Sequence, residues 1–239
     1  MSNLYLVRHG QATFHAASYD QLSEIGEAQA RRLGRFWLDR RVAIDEVYTG
    51  PACRHRQTAE FIGELYRCER RHWPTPVILP ELDEHRVEGL IRNRIEEITS
   101  SHPSVEPLAA AYARSKTTTD TERSFQRLFE AVTQLWIRDE VVDSTEESWT
   151  SFRERVQSGI EQMRNGGGSG RIVVAFTSVG PIAAALRFAL ACSDQTAVEL
   201  GWRIRNCSLT QFVFTTGRFT LDRFNSLPHL DDDDLLTYR

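Results

Sequence analysis

Hydrophobic positions along the chain alternate between short unbroken runs and longer stripes at helical spacing. Leu4 to Val7 is a short apolar run that stops at Arg8-His9-Gly10, the signature of a buried strand ending in a polar turn. Ser23 to Arg40 reads as a helix, with Ile25, Ala28, Leu33, Phe36 and Trp37 at helical intervals and Ser23 as its N-cap. Ile44 to Tyr48 reads as a second strand, and a turn follows at Thr49-Gly50-Pro51. A helix from about Arg54 to Cys68 comes next, with Ala59, Ile62 and Leu65 on one face. Pro76 to Leu79 is a third strand candidate.

From Leu90 to Asn165 the pattern is almost entirely helical. One stripe comprises Phe125, Leu128, Phe129, Val132, Leu135 and Trp136; a second comprises Trp149, Phe152, Val156, Ile160 and Met163. Thr119 with Glu122, and Ser144 with Glu147, have the spacing of capping boxes in front of these stripes. Gly166-Gly167-Gly168 reads as a helix-to-strand loop, since no Lys-Ser/Thr follows it as a phosphate loop requires. The run from Arg171 to Phe176 is a strand of the fully buried, parallel type. A turn through Thr177-Ser178-Val179-Gly180 then leads into a helix from Pro181 to Cys192, with Pro181 in its first turn. Gln211 to Phe214 and Phe219 to Leu221 flank Thr215-Thr216-Gly217-Arg218 as a hairpin. Strands alternating with helices imply an α/β fold of one domain spanning residues 1–239. It would be a three-layer αβα sandwich with a mostly parallel sheet, an antiparallel edge, and a helical, cap-like insertion at about 86–165 over the site.

Composition narrows the partners. The chain has 239 residues, 41% of them hydrophobic, enough for one sizeable core. A net charge of -4 argues against broad nucleic-acid or anionic-membrane binding. No segment approaches the ~20 apolar residues of a membrane helix. The beginning, MSNLYLVRHG, lacks the basic-then-apolar form of a signal peptide, so a cytoplasmic location is expected. Cys53, Cys68, Cys192 and Cys207 are widely spaced, which speaks against a metal site or a disulfide framework. The Asp231–Asp234 run reads as a solvated acidic tail. Lys116 is the only lysine; the remaining positive charge is arginine, whose planar fork suits phosphate. The five tryptophans suit core or interface, leaving a homodimer open.

The strongest chemical signal is Arg8-His9-Gly10-Gln11 at the end of the first strand. In open parallel sheets ligands bind beyond the carboxyl ends of the strands. A histidine there, beside an arginine that repels its protonated form, is neutral near pH 7 and able to attack phosphorus.

Several segments in order resemble the histidine phosphatase superfamily, also called phosphoglycerate mutase-like. LYLVRHGQA resembles that family's phosphohistidine motif, and Leu22 to Gly34 resembles the helix after it. Tyr48 to Arg54, continuing to Gln57-Thr58-Ala59, is similar to its second arginine motif. Leu82-Asp83-Glu84 resembles its acidic motif, and Glu147-Ser148-Trp149 with Phe152 and Arg155-Val156 is similar to another recurrent stretch. The resemblance implies that His9 is the nucleophile, that Arg8 and Arg54 clamp the phosphoryl oxygens with help from Gln11, and that Glu84 is the general acid and later the base. Glu81 and Glu88 compete for that last role. The substrate would be a small phosphorylated molecule, and no metal or other cofactor is implied.

The chain departs from the family at one place. A second histidine is usual after the late strand; here Ser178 stands in that position and Val179 in place of a glycine. Some family branches resemble this Phe-Thr-Ser-x-Gly-Pro-Ile form. Ser178 can donate one hydrogen bond, and the helix near Pro181 offers amides and a positive dipole end, so weaker phosphate binding or slower turnover is expected. A histidine restored at 178 is expected to raise turnover. His85, next to Glu84, is a further candidate for the pocket; His15, His55, His72, His102 and His229 show no usable pattern. The leading reading is a phosphomonoesterase. A mutase-like phosphotransferase and a phosphate-binding protein without turnover are the alternatives.

Overall fold

The computed structural model describes residues 1–13, 20–115, 120–141 and 146–238. Lys116, Thr119, Ser144 and His15, and with them both expected capping boxes, lie outside the described residues. The chain divides into two compact units. One comprises Met1–Glu84 and Arg155–Arg239, the other His85–Glu154.

The first unit is built on a six-stranded sheet. Its strands are Ser2–Arg8 (β1), Glu46–Thr49 (β2), Val77–Ile78 (β3), Ile172–Thr177 (β4), Leu209–Thr215 (β5) and Arg218–Ser226 (β6). They lie in the order β3-β2-β4-β1-β5-β6. The first four of that order run parallel, whereas β5 is antiparallel to both β1 and β6. The sheet is therefore mostly parallel with an antiparallel edge. β4 lies between β2 and β1, and its run from Val173 to Thr177 is buried throughout, as a strand covered on both faces must be. β1 and β4 run in register, with Arg8 opposite Thr177. The two strand ends that carry the expected chemistry are thus immediate neighbours.

The helices of this unit follow the sequence pattern closely, with two differences. Glu24–Asp39 (α1) starts where Ser23 accepts a hydrogen bond from the Gly26 amide, as an N-cap should. Cys53–Cys68 (α2) buries His55, Thr58, Ala59, Ile62 and Tyr66. Leu33 and Trp37 from α1 join Ile62 and Tyr66, with Val174 and Phe176 from β4, in the main core. The helix after β4 begins at Val179, two residues earlier than the pattern suggests. Proline lacks an N–H, and the first turn of a helix does not need one, so the chain is already helical before Pro181. A further short helix at Asp194–Gly201, capped by Ser193, follows; the sequence reading did not separate it.

The second unit is helical. It contains Val87–Ser101 (α3), Glu106–Ser115 (α4) and Thr121–Trp136 (α5), and it takes in the residues of Trp149–Arg164 (α6) up to Glu154. The segments at Val179–Leu190 and Asp194–Gly201 are α7 and α8. The helical unit's interior is aromatic: Trp136 meets Trp149 edge-on at 5.2 Å and Phe152 at 5.7 Å. Inside α3, Arg94 leaves helical geometry and reaches Glu97 and Glu146, which marks a kink. Among the described residues no helix is long and apolar enough to cross a membrane. None of their His, Cys, Asp and Glu side chains form a group of three that could hold a metal ion.

Candidate active site

The site starts with a tight crossing of backbone. Beyond β1 the chain passes so close to the start of α1 that a Cβ on Gly10 would come within 2.5 Å of the Gly26 carbonyl oxygen, and one on Gly26 within 2.1 Å of Gln11 O. Both positions must be glycine for the turn to seat against the helix. Side chains then pin the turn. Thr58 on α2 accepts from the Gly10 amide at 3.1 Å, and Gln29 on α1 accepts from the Gln11 amide at 2.8 Å. Gln29 also donates to Leu235 O and Thr237 Oγ1, which ties the C-terminal segment to the same turn.

His9 is buried by this arrangement, at 7% exposure. Its amide donates to Thr177 O at the end of β4, and its carbonyl accepts from Cys207 N and Asn206 Nδ2. The ring Nδ1 lies 2.7 Å from Gly10 O, an acceptor only. Nδ1 therefore carries the proton and Nε2 the lone pair. Burial, then the Arg54 and Arg8 guanidiniums, then His55, hold the imidazole's pKa well below its usual value, with the bond to Gly10 opposing. The ring is neutral, with Nε2 unprotonated.

Arg8 is buried beside it and donates through Nη1 to Ile204 O at 2.5 Å. Arg54 arrives from the first turn of α2. Its Nη1 pairs with Asp20 at 2.8 Å and its Nη2 donates to Ser178 Oγ at 3.3 Å. Asp20 also accepts from the Cys53 amide at 2.7 Å, so one carboxylate both holds the start of α2 and fixes the guanidinium.

Ser178 occupies the N-cap position of α7 yet makes no capping bond. The third helical residue, Pro181, has no amide hydrogen to give. The Gly180 amide is engaged by both carboxylate oxygens of Glu84, at 3.1 and 3.2 Å. The Ser178 hydroxyl is thereby released toward α2, where it meets Arg54 and, at 2.7 Å, His55 Nε2. This alters the expectation that the α7 amides are open to phosphate, because Glu84 holds the one at Gly180.

The structure thus brings His9, Arg8, Arg54 and Ser178 together, with Glu84 on the amide of Gly180, two residues beyond Ser178. The side-chain oxygen of Gln11 accepts from Ser23 Oγ at the start of α1, at 2.8 Å. His85 packs in the helical unit against Trp136, Phe129 and Phe152, with centroids 5.0 to 5.9 Å away. Three participants were not read from sequence. Asp20 and Gln29 carry no local signal, because their partners lie far along the chain. His55 adjoins the arginine motif, but only the fold shows its ring 5.6 Å from that of His9.

A buried neutral histidine flanked by two guanidiniums, at the carboxyl ends of a mainly parallel sheet, is the arrangement of the histidine phosphatase superfamily. The model of branch 1 of that superfamily matches residues 4–114 and 113–227, and the chain belongs to it. Solved structures agree in fold. YhfR from Bacillus stearothermophilus superposes with a TM-score of 0.65 at 17% identity, over 96% of this chain and 99% of that one. A mycobacterial glucosyl-3-phosphoglycerate phosphatase, in complex with inorganic phosphate, gives 0.64 at 20% identity over 97% and 100%. A phosphoserine phosphatase mutant from Entamoeba histolytica, in complex with phosphoserine, gives 0.62 at 17% over 96% and 100%. No curated protein sequence matches the chain.

Proposed function

We propose that the protein is a phosphomonoesterase that works through a phosphohistidine on His9 and needs no metal. The observation that carries the reading is the hydrogen bond from His9 Nδ1 to Gly10 O, which leaves Nε2 as a neutral nucleophile between two guanidiniums. Nε2 attacks phosphorus as the bond to the leaving oxygen breaks. Arg8 and Arg54 stabilise the charge that spreads over the equatorial oxygens, and Ser178 adds a hydroxyl contact. Glu84 gives the leaving oxygen its proton. It then takes one from the water that attacks the phosphohistidine, releasing phosphate and restoring His9. Such acid–base help is typically worth ~10²–10⁴ in rate. The substrate is a small phosphorylated molecule, in keeping with the phosphoserine and phosphate named for the structural relatives.

The test is hydrolysis of a generic aryl phosphate by the whole chain and by His9→Ala, with brief labelling by a phosphomonoester. Turnover lost in the variant, with acid-labile and base-stable label on the parent, is expected. Turnover only in the presence of a bisphosphorylated primer points to the phosphotransferase instead. Binding of phosphate without label or turnover points to a non-catalytic phosphate binder.

A further inference from the structure

His55 has no task in the reaction above, yet its surroundings are specific. The residue is completely buried. Its Nε2 lies 2.7 Å from Ser178 Oγ. Its other ring nitrogen packs against Gly50, where a Cβ would come within 2.3 Å of Nδ1. Glycine at 50 is what leaves room for the ring.

The donors and acceptors around Ser178 can be counted. The Gly50 amide donates to Phe176 O at 2.9 Å, so what Gly50 offers Nδ1 is its carbonyl, which raises the ring's pKa although no hydrogen bond of full geometry is made to Nδ1. The neutral ring then carries its proton on Nδ1, and Nε2 accepts from the Ser178 hydroxyl. The oxygen of that hydroxyl accepts from Arg54 Nη2. In this state the hydroxyl hydrogen points into the protein and cannot meet an anion. A proton on Nε2 reverses the arrangement. Both lone pairs of Oγ are then taken, by Arg54 and by the imidazolium, and the hydroxyl hydrogen is the one bonding direction left for a ligand.

We propose that His55 and Ser178 form a proton-coupled relay: entry of a tetrahedral oxyanion draws one solvent proton onto His55 Nε2, which turns the Ser178 O–H onto the anion and sets an imidazolium behind it. His55 is a positioning residue acting through Ser178. The inference rests on the reading of this pocket as a phosphate site. The charged and titratable groups about this pair are Arg54 on the ring's own helix, His9 with its ring 5.6 Å away and Arg8 acting on His9, Asp20 on Arg54, and Glu84 on the Gly180 amide of α7. Burial and then Arg54 hold the ring's pKa well below its usual value, so it is neutral until an anion arrives. A dianion brought among these groups reverses the sign of the local field and favours the imidazolium.

The experiment uses the whole chain and inorganic sulfate, a dianion that does not itself titrate near neutral pH. Calorimetry in buffers of different ionisation enthalpy counts the protons taken up per sulfate bound. Uptake approaching one proton is expected at about pH 7, with affinity falling by up to about tenfold per pH unit where the linkage is complete. His55→Gln keeps an N–H directed at Ser178 without a titrating group, so it should bind sulfate with no proton uptake and a flat pH dependence. His55→Ala and Ser178→Ala should lose the uptake and weaken binding about tenfold at about pH 6. His9→Gln should retain the uptake. Sulfate bound by the parent without a proton, uptake that survives His55→Gln, or uptake that vanishes in His9→Gln each overturns the relay while leaving the phosphatase reading intact. Failure of the parent to bind any tetrahedral oxyanion overturns both.

Discussion

The two neighbouring strand ends, β1 and β4, solve the same problem by different means. At the end of β1 support for the chemical group begins with the adjacent residue: the His9 ring is held by the Gly10 carbonyl, and its peptide by Thr177 O, Cys207 N and the Asn206 side chain. At the end of β4 it is held by side chains from another element: Ser178 by Arg54 and His55, both on α2. The contact that orients the His9 ring lies within the local sequence, at the next residue. Side-chain support depends on a distant partner, and partners can be exchanged. The hydroxyl of Ser178 and the buried imidazole of His55 are such a pair, 123 positions apart.

The largest effect short of removing His9 is expected at Arg54, which serves both strand ends. It repels a proton from His9 and it donates to Ser178. Arg54→Ala should lower kcat/KM on an aryl phosphate by about 10²–10³-fold, as loss of one preorganised donor to a transition-state oxyanion does. Arg54→Lys should recover little of this, since a point charge cannot bridge Asp20 and Ser178 at once. Near-parental kcat/KM in the lysine variant would show that the fork geometry is unimportant.

A smaller effect tests whether residues 178 and 55 share one space. The sequence reading expects a histidine restored at 178 to raise turnover. The structure changes that expectation, because Ser178 is 1% exposed and His55 Nε2 already lies 2.7 Å from its oxygen. Ser178→His alone overpacks the site, at about 1–3 kcal/mol, and should reduce turnover. Combined with His55→Ala it should regain turnover relative to either single variant. Additive losses in the double variant would mean that the two residues do not share a space. Gly50→Ala probes the same space from the opposite side. The added methyl displaces the imidazole and should weaken anion binding about tenfold, the size of one lost charge-assisted contact. His55→Ala in that background should then have almost no further effect on binding.

The difference between the strand ends also explains what the sequence could say. The run from Leu4 to Gln11 and the segment from Gly50 to Ala59 are contiguous, so motif and periodicity could be read together. Ser23 capped α1 as its position suggested. The partner of Ser178 lies 123 positions away, and no local pattern joins them. The resemblance implies phosphate contact for Gln11; the turn that seats Gly10 against Gly26 carries its side-chain oxygen to Ser23. α8 escaped notice because its eight residues bury only Ala197, Val198 and Gly201, too few for a stripe.

The weakest expected effect on the site is also the control for acid pH. His229, in the C-terminal segment, is buried, and burial lowers its pKa to about 4, with the Cys207 backbone opposing. Its unfolded value is near 6.5, so between these limits the unfolded chain binds the extra proton. The stability associated with a neutral His229 is full above about pH 6.5 and is lost as pH falls towards about 4, by roughly 3 kcal/mol in all. His9 and His55 act with the same sign. His229→Leu should therefore flatten part of the fall in urea midpoint between about pH 7 and about pH 4.5 while leaving kcat at neutral pH unchanged. An unaltered pH slope would mean that His229 is not buried neutral. A changed kcat would mean that the C-terminal segment, through Gln29 and Asn206, governs the turn that holds His9.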